Sequence, residues 1–355
     1  MRKHVIKTGL TLLRATRLHR LVQPLTRGLG AILMFHHVRP FAPPMPGFTP
    51  NRLLEITPEF FEAVIVKVRA LGFDIVMMDE AAARIGAAAA GTGSRPFVVL
   101  SFDDGYRDNR DFALPILRRN SAPFTLFVTT GFAGHSARMW WLELEAVVRL
   151  AKSIRLRPGQ PDVSLADASP ATRSRIFNDL YWQLRALPEV EALDRIAALA
   201  ATSGIDPLHF ARSLCMGWDE LAELAGEPLC TIGAHTLTHP RLAKHDASMV
   251  ETEMAQSRSI IAVRLGVTPK HFAYPVGDLT SAGPREFALA RKLGFTSAVT
   301  TRPGMLFAAH AAHLNALPRL SINGSFQDID FVEVLLSGAP FALWNRGRRV
   351  NAGEA

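Results

Sequence analysis

Val98-Val99-Leu100-Ser101-Phe102-Asp103-Asp104-Gly105 is the stretch on which the fold reading turns. A largely apolar run of strand character stops at two adjacent carboxylates and a glycine. Such a run without alternation is expected of a strand buried on both faces, as in a parallel sheet. Adjacent acids repel each other and resist burial. They are tolerated where a cation lies between them, or where one is held at a shifted pKa for proton transfer. A helix cap or a turn accounts for Asp-Gly alone, so the pair needs partners elsewhere in the chain.

Outward from this strand the same rhythm recurs. Residues 31–35 read as a first strand ending in His36-His37. Further strands are expected at 73–78, 97–102, 124–128, 229–234, 271–274, 296–299 and 317–322. Helices are expected between them, the first announced by Thr57-Pro58 with proline at the first helical position. Residues 138–215 break the alternation with several helix-like stretches. Strands alternating with helices imply parallel βα units. The expected fold is α/β: a distorted barrel of seven or eight βα units over 29–340 with a helical insertion at 138–215. A doubly wound sheet is the alternative.

The chain has 355 residues, 48% of them hydrophobic, enough for a large core. Two cysteines, Cys215 and Cys230, are too few for a disulfide framework. Part of the net charge of +8 is local. Residues 1–28 hold seven Lys and Arg residues and no acid, interleaved with Leu, Val and Ile. This basic amphipathic segment is too charged to span a bilayer. It is expected to pack on the domain or to touch an anionic membrane surface. It lacks the apolar core of a secretory signal, which places the expected protein in the cytoplasm, at the inner face of the membrane. Residues 341–355 read as a basic tail. No nucleic-acid motif is present, so no nucleic-acid partner is expected.

The strand ends carry the chemistry. His36, Asp103 with Asp104, Thr129, His235, Tyr274, Thr300 and Arg319 all fall at expected carboxyl ends, the face where a barrel gathers catalytic groups. In His235-Thr236-Leu237-Thr238-His239 the imidazoles stand four apart and can reach one metal. Asp103 or Asp104 can complete a two-His-one-carboxylate set, leaving positions open for water and substrate. The second acid is then free to take a proton from a water. This is equipment for metal-assisted hydrolysis of an amide or ester.

Ser101-Phe102-Asp103-Asp104-Gly105 and His235-Thr236-Leu237-Thr238-His239 resemble the first two motifs of the polysaccharide deacetylase family, the NodB-homology domain of carbohydrate esterase family 4. The resemblance covers 30–325 and implies a distorted barrel of the NodB-homology type. It also implies a divalent cation, with Zn2+ expected, and removal of acetyl from an N-acetylated saccharide, chitooligosaccharide-like or lipid-linked. It makes Asp103 the general base and Asp104, His235 and His239 the metal ligands, with Thr236 setting the loop.

The third motif departs from the family. Phe272-Ala273-Tyr274-Pro275-Val276-Gly277 has Ala273 where the family carries an arginine that orients the base. Arg319, late in the strand order, is the expected replacement. Phe35-His36-His37-Val38 resembles a strand end in one branch of the family that supplies the general acid, so His36 is expected in that role and His37 in a structural one. A backbone N–H near Val276 is the expected oxyanion donor. Tyr274 and Trp141 are the other expected substrate contacts, and loop 40–56 and the insertion are expected to select the sugar. Two other readings stand beside this one: a non-haem iron oxygenase, and a catalytically altered barrel that only binds glycans.

Overall fold

Burial on both faces is what the apolar runs demanded, and one sheet supplies it. The computed structural model describes residues 2–352 apart from Ser94, Pro158 and Thr202. The strands of this sheet are β1 (Gly30–Phe35), β2 (Asp74–Ile75), β3 (Phe97–Phe102), β4 (Phe124–Val128), β5 (Cys230–Ala234), β6 (His271–Ala273), β7 (Ser297–Val299) and β8 (Leu320–Ser321). They form an all-parallel sheet in the order β7-β6-β5-β4-β3-β1-β8, with β2 beside the start of β3. An isolated bridge between Val299 and Leu317 brings the two ends together, so the sheet curls into a distorted barrel.

Register decides what sits where. β1 and β3 pair over their full length, from Gly30 with Phe97 to Phe35 with Phe102. His36 and Asp103 therefore leave the sheet side by side. Val128 pairs with Ala234, which sets Thr129 beside His235 in the same way. Two expected strands are shorter in the structure. The stretch 73–78 pairs only at Asp74–Ile75, because a helix already starts at Met78. The last strand is only Leu320–Ser321, and Leu317 serves as the closing bridge.

At the amino terminus are α1 (Arg2–Thr16) and α2 (Leu18–Thr26), broken at Arg17, whose φ of 53° is left-handed. Then come α3 (Pro58–Ala70), α4 (Met78–Ala89) and α5 (Leu114–Arg119). The Thr57 side chain accepts from the Phe60 N–H and starts α3. Strand alternation divides the core. Leu33, Phe35, Leu100 and Phe102 face α3 and the outer helices, while Ile32, Val99, Phe127 and Ala273 fill the inside, closed by Met78 and Ile85 of α4.

The insertion holds α6 (Trp140–Leu150), α7 (Pro170–Ala186), α8 (Glu189–Ala201) and α9 (His209–Leu214). Its helices close on an apolar cluster of their own, with Leu144, Val148, Ile176, Phe177, Leu180 and Ile196 at its centre. After it follow α10 (Trp218–Ala225), α11 (Ala247–Leu265), α12 (Pro284–Lys292), α13 (Ile329–Leu336) and α14 (Ala339–Trp344). The tail expected from 341 thus begins inside a helix. α1 lies on α13 through Leu10, Phe331 and Val334, and Arg14 and Arg20 pair with Asp328 and Glu333. Among the described residues no helix is long and apolar enough to cross a membrane.

Candidate active site

Beyond the carboxyl end of β3 the chain turns sharply: Asp104 has a φ of 72° and Gly105 one of 78°. Glycine takes this conformation freely, whereas the aspartate is held in it by its surroundings. Thr236, His239 and Val276 also have positive φ. All three belong to the segments that meet Asp104 or line the same cleft. Backbone strain is concentrated where side chains must be aimed.

Arg319 closes on Asp103 with both arms. Its two terminal nitrogens donate to Oδ1 and Oδ2, each at 2.7 Å, and its Nε donates to the Thr300 carbonyl at 2.9 Å. Both residues are buried. Burial alone would raise the Asp103 carboxyl, but the charges of Arg319 and His235 outweigh it and hold the group well below the ordinary carboxylate range. A bidentate guanidinium also fixes the orientation of the carboxylate.

Asp104, His235 and His239 converge. The Nε2 atoms of His235 and His239 lie 3.5 and 3.4 Å from Asp104 Oδ1. That oxygen is buried and has no hydrogen-bond partner among the described residues. Donors about 2.1 Å from one tetrahedral ion stand about 3.4 Å apart, so this spacing fits a divalent cation. His235 is held from behind: its Nδ1 meets the Ala273 carbonyl at 2.7 Å, which leaves Nε2 to face Asp104. Burial, then the Asp103 charge, pushes the Asp104 carboxyl up to about 8 without a cation. Burial lowers both imidazoles. A bound cation reverses the logic for Asp104 by favouring the ionised form. The donor set is therefore costly to leave empty and suited to being filled.

Glu253 of α11, absent from the sequence reading, supports the His235–His239 loop. Its carboxylate accepts from the Leu237 and Thr238 backbone N–H groups, at 2.8 and 3.0 Å, and from the Thr238 hydroxyl at 2.7 Å. An acid among Val250, Met254 and Ile261 on the buried side of α11 was the available signal. The Thr236 hydroxyl accepts from the His239 N–H at 3.0 Å.

His36 lines the cleft with Asp103 and Asp104, and burial holds its pKa down to about 4. The Asn109 amide donates to the His36 carbonyl at 2.7 Å. His37 is buried, stacked on Tyr106 and paired with Asp108 at 2.5 Å, away from the cleft. Val276 and Trp141 line the cleft as expected, with the Trp141 ring 5.1 Å from that of His239. Tyr274 does not line it. Strand alternation sends its side chain with Phe272 to the outer side, where it packs on Phe287 and donates to the Asn315 carbonyl at 2.9 Å. It is corrected from substrate contact to core residue.

The cleft has a volume of about 520 Å³. One side is the strand ends. The facing wall comes from the insertion, through Trp140, Trp141, Phe177, Tyr181, Trp182 and Arg185, with Pro50, Asn51, Leu53 and Leu54 of the early loop beside it.

A family model described as polysaccharide deacetylase matches residues 90–298. Among solved structures, the fold is similar to the deacetylase PplD of Streptococcus pyogenes in complex with acetate, at 18% identity and a TM-score of 0.55, covering 86% of this chain and 97% of that one. It is also similar to IcaB of Ammonifex degensii, at 17% identity and a TM-score of 0.53 over 88% and 97%. BC0361, a polysaccharide deacetylase of Bacillus cereus, aligns at 15% identity and a TM-score of 0.51 over 86% and 68%. No curated protein sequence matches the chain. With both motifs assembled at one end of a curled parallel sheet and more than half of the chain matched, this chain belongs to the polysaccharide deacetylase family, hydrolases acting on amide bonds.

Proposed function

We propose that the enzyme removes N-acetyl groups from amino-sugar units of an oligo- or polysaccharide, with a divalent cation held by Asp104, His235 and His239. The observation that carries this reading is the division between the two acids. Asp103 is clamped by Arg319, while Asp104 Oδ1 points at two imidazoles with no other partner. Zinc suits a site of two imidazoles and one carboxylate with positions left open. Once bound, such a cation polarises the acyl carbonyl and acidifies a water.

Asp103, ionised throughout the neutral range, takes the proton of the attacking water. Arg319 aims it, in place of the third-motif arginine that Ala273 replaces. The backbone N–H of Val276, which makes no hydrogen bond among the described residues, is available to the developing oxyanion. His36 delivers a proton to the nitrogen as the C–N bond breaks. Since His36 is neutral in the free site, the proton it delivers is the one Asp103 takes from the water, passed to the neighbouring imidazole within the turnover. Acetate and a free amine leave.

The cleft exceeds what one sugar ring fills, and its wall is aromatic. Trp140 stacks on Tyr181 at 5.3 Å, and Trp182 stands edge-on to Tyr181 at 5.5 Å. We assign this wall to sugar rings on either side of the one deacetylated. The test is acetate release from N-acetylated oligosaccharides of increasing length, before and after chelation and with metal restored. Full turnover after exhaustive chelation, or in an Asp103→Asn variant, sinks the proposal.

A further inference from the structure

α2 is built the wrong way round for a helix that serves only the fold. Its apolar residues Leu18, Leu21, Val22 and Leu25 follow the i, i+3, i+4, i+7 spacing of a buried stripe. Yet Leu18, Leu21 and Leu25 are 48, 78 and 72% exposed. The side turned inward carries a polar residue: His19 is buried, its Nδ1 meeting the Leu13 carbonyl at 2.8 Å. The helix that packs against α2 also turns apolar side chains outward, although its inward residues Ala339 and Phe341 are apolar too. In α14, Leu343 is 70% exposed and Trp344 51%.

Charge identifies what such a face meets. No acid occurs in 1–28 or in 334–352, the two stretches that build it. Arg17, Arg346, Arg348 and Arg349 are exposed there, and none of them meets a carboxylate within 4.0 Å among the described residues. Arg14 and Arg20, on the side facing α13, are by contrast neutralised by Asp328 and Glu333. Another protein surface would have to offer a matched pattern of acids. An anionic bilayer offers both halves at once, acyl chains for the leucines and phosphate for the guanidinium groups.

We propose that the α2–α14 face docks on an anionic lipid bilayer, with Leu21, Leu25 and Leu343 entering the headgroup boundary and Arg346, Arg348 and Arg349 meeting the phosphates. The orientation has a consequence for the reaction. α2 ends four residues before β1 begins, whereas the cleft lies beyond the far end of that strand, about 20 Å away. A docked enzyme turns its cleft away from the bilayer and takes substrate from the aqueous side.

The full chain is mixed with phosphatidylcholine vesicles with and without about a quarter phosphatidylglycerol and sedimented. It is expected to pellet with the anionic vesicles only, and less as salt rises. Leu21→Glu with Leu25→Glu is expected to lower binding at least about tenfold. Arg346→Gln, Arg348→Gln and Arg349→Gln together are expected to lower it about a hundredfold, at about one kcal/mol for each cation. Both variants keep the parent's melting temperature and its acetate release from a soluble oligosaccharide. Failure to pellet, equal binding to neutral vesicles, or variants that bind like the parent each overturn the proposal. So does a dimer in solution that the two glutamates split while vesicles capture nothing, because the face is then an interface between copies.

Discussion

The strand-end rim and the wall facing it across the cleft are built on different principles. At the rim the functional side chains come from the ends of three strands, β1, β3 and β5, and three of the supports behind them are buried polar groups: Arg319 on Asp103, the Ala273 carbonyl on His235, Glu253 under the loop to His239. The wall belongs to an insertion with its own apolar cluster, and Trp182, 62% exposed, projects from it into the cleft. Chemistry needs groups fixed to a fraction of an ångström, and a paired parallel sheet provides that. Recognition needs shape and ring faces. A separate small core can carry those without disturbing the strands.

The largest effects should come from the rim. Asp104→Ala or His239→Ala is expected to abolish metal binding and activity together, read by metal content after dialysis. Asp103→Asn should keep the metal and lose about a thousandfold in turnover. Retained activity there would break the division between the two acids. At the wall, Trp182→Ala is expected to raise KM several-fold on long substrates and leave kcat and metal content unchanged. Leu180→Ala, buried in the cluster of the insertion, should cost about 2–5 kcal/mol locally. It should speed hydrogen exchange in 138–215 but not in β1 or β3; loosening of both regions would show that the two cores are one.

Acid should separate the regions more gently. Burial, opposed by Asp79, lowers His271 to about 4, and burial also lowers His310 to about 4. Both lie in the barrel, whereas residues 138–208 contain no histidine. The unfolded chain binds a proton below about 6.5 that folded His271 refuses until about 4, so stability falls as pH drops through that window. A buried group shifted this far contributes up to about 3 kcal/mol at neutral pH. Denaturant midpoints at pH 7 and pH 5 measure the loss, and His271→Asn should flatten it.

Much of the site was legible because β3 and β5 carry dense local patterns. Asp-Asp-Gly after an apolar run, and two histidines four apart after another, need only strand ends on one face to become a site. His36 was legible from the same logic, since the register of β1 with β3 sets it beside Asp103. Arg319 was reachable only through strand order, 216 residues from its partner. Tyr274 was misjudged because β6 ends one residue earlier than expected, and alternation then sends the ring outward. Glu253 was missed because two of its three donors are backbone N–H groups on another element, and its one sequence signal was an acid on the apolar side of α11.

By itself the amino-acid sequence determined the alternation of strand and helix, the two acids and the two histidines. These are properties of neighbouring residues, and their periods and spacings survive without any fold. The residue pattern without the family resemblance left open which acid meets the arginine and which meets the imidazoles; the tertiary structure decided that, and also that the insertion walls the cleft and that the leucines of α2 face outward. Each of those depends on register and packing between segments distant in the chain or, for α2, on which side of a helix its neighbours cover. No local pattern encodes that choice.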